Sequence, residues 1–285
     1  LSAGMVVLLA AGITALAGWV VLALRIDEPI VDIRALSRPI LLTLLAVVLA
    51  AGSFQAVIQL TDLIASVPPE LGLGYGLKGV GPDALLFAAP APGIILGGIA
   101  AGWLASRIGP ARTLLGGIAI GTVGTFTMLA GLSSFPLAVA GFALLGTAAG
   151  AINTSGFNLA TGLAPPARHG VVSGLVSVML AVGGAVVTVA GTAVLGATPI
   201  VVDGARHNSA TGMYLYILIA GVLFVLATAT AAVLAGKRSA ARRSPRAGAH
   251  RRRAPRAKYP VSHLAAGIGA TLLAGVALFL GAQII

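Results

Sequence analysis

The sequence predicts an all-α polytopic membrane protein. Three observations carry that prediction: the composition, the length of the apolar runs and the placement of the charges. Of 285 residues 58% are hydrophobic and only 9% charged, and the mean hydropathy is +1.03. A soluble domain of this composition lacks the polar residues to cover its own surface. Runs of about 20 apolar residues, enough for a helix to cross the hydrocarbon core, lie near 3–24, 40–66, 84–105, 113–131, 136–163, 171–197, 213–236 and 262–285. They are continuous and rich in Ala, Leu and Gly, which excludes the short alternating strands of a transmembrane barrel. The charge of +11 follows the connecting segments with a two-loop period: sixteen of the eighteen Lys and Arg fall in alternate loops, leaving only Lys78 and Arg206 in the others. By the positive-inside rule the basic loops are cytoplasmic and both ends of this chain lie outside the cytoplasm.

The first run, 1–24, begins without an initiator Met or a basic leader region, so it reads as a transmembrane helix rather than a signal peptide, and the chain as a fragment whose upstream part carries further helices. Residues 25–39 form a cytoplasmic linker with Arg25, Arg34 and Arg38. In the second run Gln55, Gln59 and Asp62 are spaced by four and three residues and share one helical face. Polar groups at this depth turn toward a bundle interior or a water-filled cavity, which makes Gln55 a pathway candidate. Asp62, about one turn from the outside end, reads equally as a pathway residue or an interfacial anchor. The loop that follows contains Gly74-Tyr75-Gly76-Leu77-Lys78-Gly79, a match to the dinucleotide-binding turn. That turn works only between a strand and a helix, so the match is rejected and the segment is a connector.

In the third run Pro90 and Pro92 are expected to bend the helix. Gly93 and Gly97, Gly98 and Gly102, Gly117 and Gly121, and Gly146 and Gly150 are pairs at four-residue spacing, predicting close backbone approach where lipid gives helices no hydrophobic drive to associate. A short basic turn, Gly102 to Arg112, joins the third and fourth runs on the cytoplasmic side. In the fifth run Thr147, Thr154, Asn158 and Thr161 fall on one narrow face with Asn153 beside it. Asn158 either bonds a ligand or bridges two helices, an interaction of about 0.6 kcal/mol.

Ten Lys or Arg crowd into 237–261, a basic cytoplasmic linker with no aromatic residue before Tyr259. Base stacking is poorly served, which argues against nucleic acid, and attraction to anionic lipid is the expected role. The last run, 262–285, is an additional span. The four histidines are scattered, with no metal-ligand spacing to one another or to a carboxylate, and there is no cysteine. No nucleophile and base pair by spacing, so neither an enzyme nor a cofactor or metal site is expected.

The turn Gly102-x-Leu104-Ala105-x-Arg107-x-Gly109-x-x-Arg112 resembles the inter-helix signature of the major facilitator superfamily, a G-x-L-A-D-R-x-G-R-(R/K) loop on the cytoplasmic side, with Ser106 in place of the acid and Pro110-Ala111 in place of basic residues. Asp27-Glu28-Pro29-Ile30-Val31-Asp32-Ile33-Arg34 is similar to the linker of the fourteen-helix drug:proton antiporter branch. Leu71 to Gly76, Arg107 to Arg112, and Gly183-Gly184-Ala185 are similar to further stretches there. The resemblance implies that 40–236 is the carboxy-terminal six-helix bundle and 1–24 an extra helix leading into it. It implies a secondary active transporter in the plasma membrane that rocks two bundles about a central site. The branch exports drug-like or amphiphilic molecules against protons and confers multidrug resistance. The implied partners are the bilayer, a small-molecule substrate, protons, and an amino-terminal bundle or a second copy. The carboxylates and the glycine-proline signature of the first half are not in this chain. Gln55, Gln59, Asp62, Thr154 and Asn158 are then the expected cavity residues, and Gly102, Arg107, Gly109 and Arg112 the conformational loop. The alternative is a non-transporting scaffold or assembly subunit whose polar stripes bind partner helices.

Overall fold

Helices in this chain begin where proline permits them to. Proline stands in the first turn of four, Pro39, Pro90, Pro110 and Pro136, where its missing N–H is one that the helix leaves unused. The computed structural model describes residues 36–66, 88–202 and 205–243, with isolated positions at 11, 12, 14, 18, 21, 25 and 86. The expected spans 3–24 and 262–285 lie outside its continuous stretches. Six helices run through those stretches: α1 Arg38–Ser66, α2 Pro90–Ile108, α3 Pro110–Gly131, α4 Phe135–Thr161, α5 His169–Ala197 and α6 Ala210–Arg243. All six are long and apolar enough to cross a membrane. Even the shortest, α2 with 19 residues, reaches about 28 Å at 1.5 Å per residue, close to the thickness of the hydrocarbon core. The protein is therefore an all-α polytopic membrane protein.

Pro90 opens α2 after a turn at Ala89, whose backbone is itself helical at φ −53°, ψ −39°, so regular helix breaks at the proline that the sequence singles out. The connection from α5 to α6 is an antiparallel hairpin, β1 Pro199–Val202 with β2 Ala205–Asn208, in the register Pro199↔Asn208 to Val202↔Ala205.

Glycine decides which helices touch most closely. A Cβ on Gly93 would lie 2.5 Å from the Ala143 carbonyl oxygen; on Gly97 it would strike the Thr147 carbonyl, on Gly146 that of Pro90, and on Gly150 that of Ile94. Backbone meets backbone along the whole α2–α4 seam. The α1–α5 seam is built in the same way at one crossing, where a Cβ on Gly52 would lie 2.7 Å from the Gly183 carbonyl oxygen and one on Gly183 would strike the Val48 carbonyl. Side chains share the α3–α4 seam: Gly117 receives Ala151, and Gly141 receives Met128. The α6 helix is held by rings on glycines, with Phe224 against Gly121 and Phe126 against Gly221 toward α3, and Tyr216 against Gly191 toward α5. Leu114, Ile118, Leu145, Ile152, Ile217 and Phe224 belong to the main core, while Ile40, Leu44, Val47, Ala160, Val172 and Val176 form a second cluster where α1, α4 and α5 meet at their basic ends. The opposite face of α2 exposes Ile95, Leu96, Ile99 and Trp103; against lipid tails such a surface costs nothing.

Hydroxyl groups in the spans mostly bond back to the carbonyl four residues earlier. Thr43 donates to Pro39, Ser53 to Leu49, Thr125 to Gly121 and Thr147 to Ala143, at 2.8 to 2.9 Å, which satisfies them without a partner helix. The hydroxyls of Thr122 and Thr228 also meet across the α3–α6 seam at 3.1 Å. Two buried oxygens have no partner among the described residues, Ser155 Oγ and Tyr216 Oη. Leaving a hydroxyl buried and unpaired costs about 1–3 kcal/mol, so Tyr216→Phe is expected to raise the thermal unfolding midpoint of the detergent-solubilised protein by a few degrees. A lowered midpoint would show that the hydroxyl has a partner.

Candidate functional site

Near the middle of α1 the side chains change from Leu, Val and Ala to Phe54 and Gln55, and there the packing opens. A cavity of about 220 Å³ lies between α1, α4 and α5. Gln55 and Phe54 reach it from α1, Ile152 and Asn153 from α4 and Leu180 from α5, with alanines completing the wall. Gln55 stands seventeen residues beyond Arg38, about 25 Å along α1, and Asn153 eight residues before Thr161, about 12 Å from the end of α4. The cavity therefore lies within the hydrophobic depth of the bundle rather than at its rim. Gly184 permits this placement, since a Cβ there would lie 3.3 Å from the Gln55 Cγ. Neither carboxamide has a hydrogen-bond partner among the described residues. Each offers two N–H donors and an acceptor oxygen to whatever enters, and none of the lining side chains is ionisable.

The structure brings Gln55 together with Asn153 and not with the other expected residues. Thr154, one position round the helix, faces α2, where a Cβ on Gly98 would lie 3.4 Å from its Oγ1. Asn158 is exposed one turn from the end of α4, and its carbonyl accepts the Gly162 N–H at 3.1 Å. Gln59 is exposed on α1, and the Asp62 side chain lies outside the described residues. Asn153 and Phe54 were not among the expected site residues. The signal for Asn153 was its own polarity at mid-span, beside a threonine stripe that proves to be the packing face toward α2.

At the basic end, the turn between α2 and α3 is a single residue. Gly109 sits at φ 93°, ψ 150°, a conformation open to glycine and closed to side chains. Its N–H bonds the Ala105 carbonyl at 3.1 Å, and its own carbonyl accepts the Thr113 N–H at 3.2 Å and the Thr113 hydroxyl at 3.1 Å. Arg107 lies 4.0 Å over the Trp103 ring, a cation–π contact one turn apart on the helix. Ser106 donates to the Trp103 carbonyl at 2.7 Å, so the residue standing where the signature has an acid is turned onto its own helix. A Cβ on Gly102 would meet only the Thr154 Cγ2, at 3.9 Å, and Arg112 is exposed in the first turn of α3. Among the described residues no group of three His, Asp or Glu side chains could hold a metal ion.

The sequence profile of the Major Facilitator Superfamily matches the chain twice, over residues 1–188 and over residues 79–285. No curated protein matches it. Each of the two matches spans more than half of the chain, and with six helices long and apolar enough to cross a membrane and the glycine-centred turn on the basic side, they establish that the chain belongs to the Major Facilitator Superfamily, a family of secondary transporters.

Proposed function

We propose that the chain is the carboxy-terminal part of a proton-coupled exporter of drug-like or amphiphilic small molecules in the plasma membrane, of the fourteen-helix antiporter kind. The observation that carries this reading is the cavity holding Gln55 and Asn153 at mid-depth. Polar groups in a span are costly, and they persist where they face a pathway. At about 220 Å³ the cavity is smaller than the roughly 300–1,000 Å³ that encloses a whole drug-sized ligand. It is one subsite, and the remainder of the binding surface belongs to a facing bundle, as in transporters that bind cargo between two repeats. Gln55 is the principal cargo contact from this bundle. Gln59 and Asp62 continue the same face of α1 toward the outside, and Asn153 serves the α4 side of the route, with Thr154 turned to α2.

The test is protection of an efflux-deficient host by the protein at its native length, against a panel of amphiphilic antibiotics. Expression should raise the inhibitory concentration of some compounds at least four-fold, a protonophore should abolish the accumulation difference, and Gln55→Leu should remove most of the protection at equal membrane abundance. Protection that survives Gln55→Leu across the panel would remove the cavity from the pathway. Protection that survives the protonophore would remove proton coupling.

A further inference from the structure

We infer that the cavity between α1, α4 and α5 recognises an uncharged, planar group with a hydrogen-bond donor and acceptor side by side, an amide or lactam carried on a ring, and rejects the corresponding ions. The inference rests on the reading of this cavity as a cargo subsite and goes beyond it by naming the chemistry of the part that is held.

Two carboxamides, those of Gln55 and Asn153, face the same space from different helices and have no partner among the described residues. A carboxamide is neutral and gives and takes hydrogen bonds side by side from a single plane, and its natural complement is another amide. The remaining wall is apolar: Phe54, Ile152, Leu180 and alanine methyls. That wall suits the flat face of a ring.

Charge is what the cavity does not accommodate. None of its lining side chains is ionisable, so a cation or an anion entering it would give up part of its water within the span, with no countercharge to meet it. The Phe54 ring attracts a cation weakly, and two amide dipoles solvate either sign only in part. A neutral amide loses little on entry, because each hydrogen bond it leaves in water is replaced by one to Gln55 or Asn153. A site built to hydrogen-bond both halves of an amide also discriminates against ligands lacking one half, since its own groups are then left unpaired.

The experiment uses three probes of nearly one shape and three charges: benzamide, benzamidinium and benzoate. Each is titrated by saturation-transfer NMR into the 285-residue chain in lipid nanodiscs, with empty nanodiscs as the blank. Benzamide is expected to bind saturably, at least ten-fold more tightly than either ion, and Asn153→Leu is expected to weaken it at least five-fold. Asn153 is exposed, so its replacement leaves the helix seams intact; Gln55→Met, similar in length to the native side chain, provides the second variant, with the unfolding midpoint of both checked against wild type. Equal or tighter binding of benzamidinium or benzoate overturns the inference, as does benzamide binding that neither variant weakens, or no binding of any probe. Selective benzamide binding alongside failed efflux protection would overturn the transport reading and leave this one standing. Protection confined to permanently charged drugs, together with tight benzamidinium binding, would do the reverse.

Discussion

Replacing Gly150 by alanine should keep α2 and α4 from closing on each other, with the largest loss of stability expected of any single methyl group in the bundle. The added carbon would coincide with the Ile94 carbonyl and lie 2.7 Å from the Gly98 nitrogen. These obstacles are backbone atoms in the middle of two helices, so no rotamer change relieves them and one whole helix must shift. Overpacking a tight core costs about 1–3 kcal/mol where side chains can give way, and the cost here should reach or exceed the top of that range. Gly97→Ala, aimed at the Thr147 carbonyl, should behave alike. Gly116→Ala is the control, since nothing lies within 4 Å of a Cβ there, and its effect should stay within about 0.5 kcal/mol. Unfolding midpoints and the monodisperse fraction after detergent extraction make the comparison. If Gly150→Ala tracks Gly116→Ala, the seam is not a backbone contact.

The second large effect is expected at Gly109, by a different mechanism. A side chain there would meet no atom within 4 Å, so crowding plays no part and the penalty is entirely conformational. At φ 93°, ψ 150° the backbone lies in the region that only glycine enters at low cost, and a residue forced into it pays about 1–3 kcal/mol. Gly109→Ala should therefore destabilise by about 2 kcal/mol. Gly109→Asn should be no better, because asparagine tolerates the left-handed helical region near ψ 47° and not this one. A clear rescue by asparagine would mean that the turn has a different backbone shape. The same unfolding measurement decides it.

The six described spans were legible because lipid demands unbroken apolar length. The pairing of helices was not legible. The glycine pairs mark close approach without naming a partner: Gly97 meets Thr147 while its neighbour Gly98 meets Thr154. The crossing of α1 and α5 uses Gly52 and Gly183, and Gly52 belongs to none of the pairs at four-residue spacing. For the same reason the cavity was half legible. Periodicity places Gln55 on a polar face and groups Thr154 with Asn158, but it cannot tell which neighbouring helix each face meets. The threonine stripe turns to α2 and leaves Asn153, one step round α4, at the cavity. The hairpin after α5 has a local signal in Asp203-Gly204, a dipeptide favoured in two-residue turns.

The one-residue turn at Gly109 has a mechanical consequence. With no slack between them, α2 and α3 cannot tilt independently, and α4, which follows α3 after only three residues and is locked to α2 backbone against backbone, moves with them as a plate. The α1–α5 crossing at Gly52 and Gly183 makes a second plate, and α6 straps the two together from behind through Phe224 and Tyr216. The plates pack together at their basic ends through Val47, Ala160 and Val176 and part farther along at the cavity of Gln55 and Asn153. On the proposed reading of that cavity as a cargo subsite, a molecule held there would act as a wedge, and the angle between the plates would be the coordinate through which its arrival is felt at the helix ends.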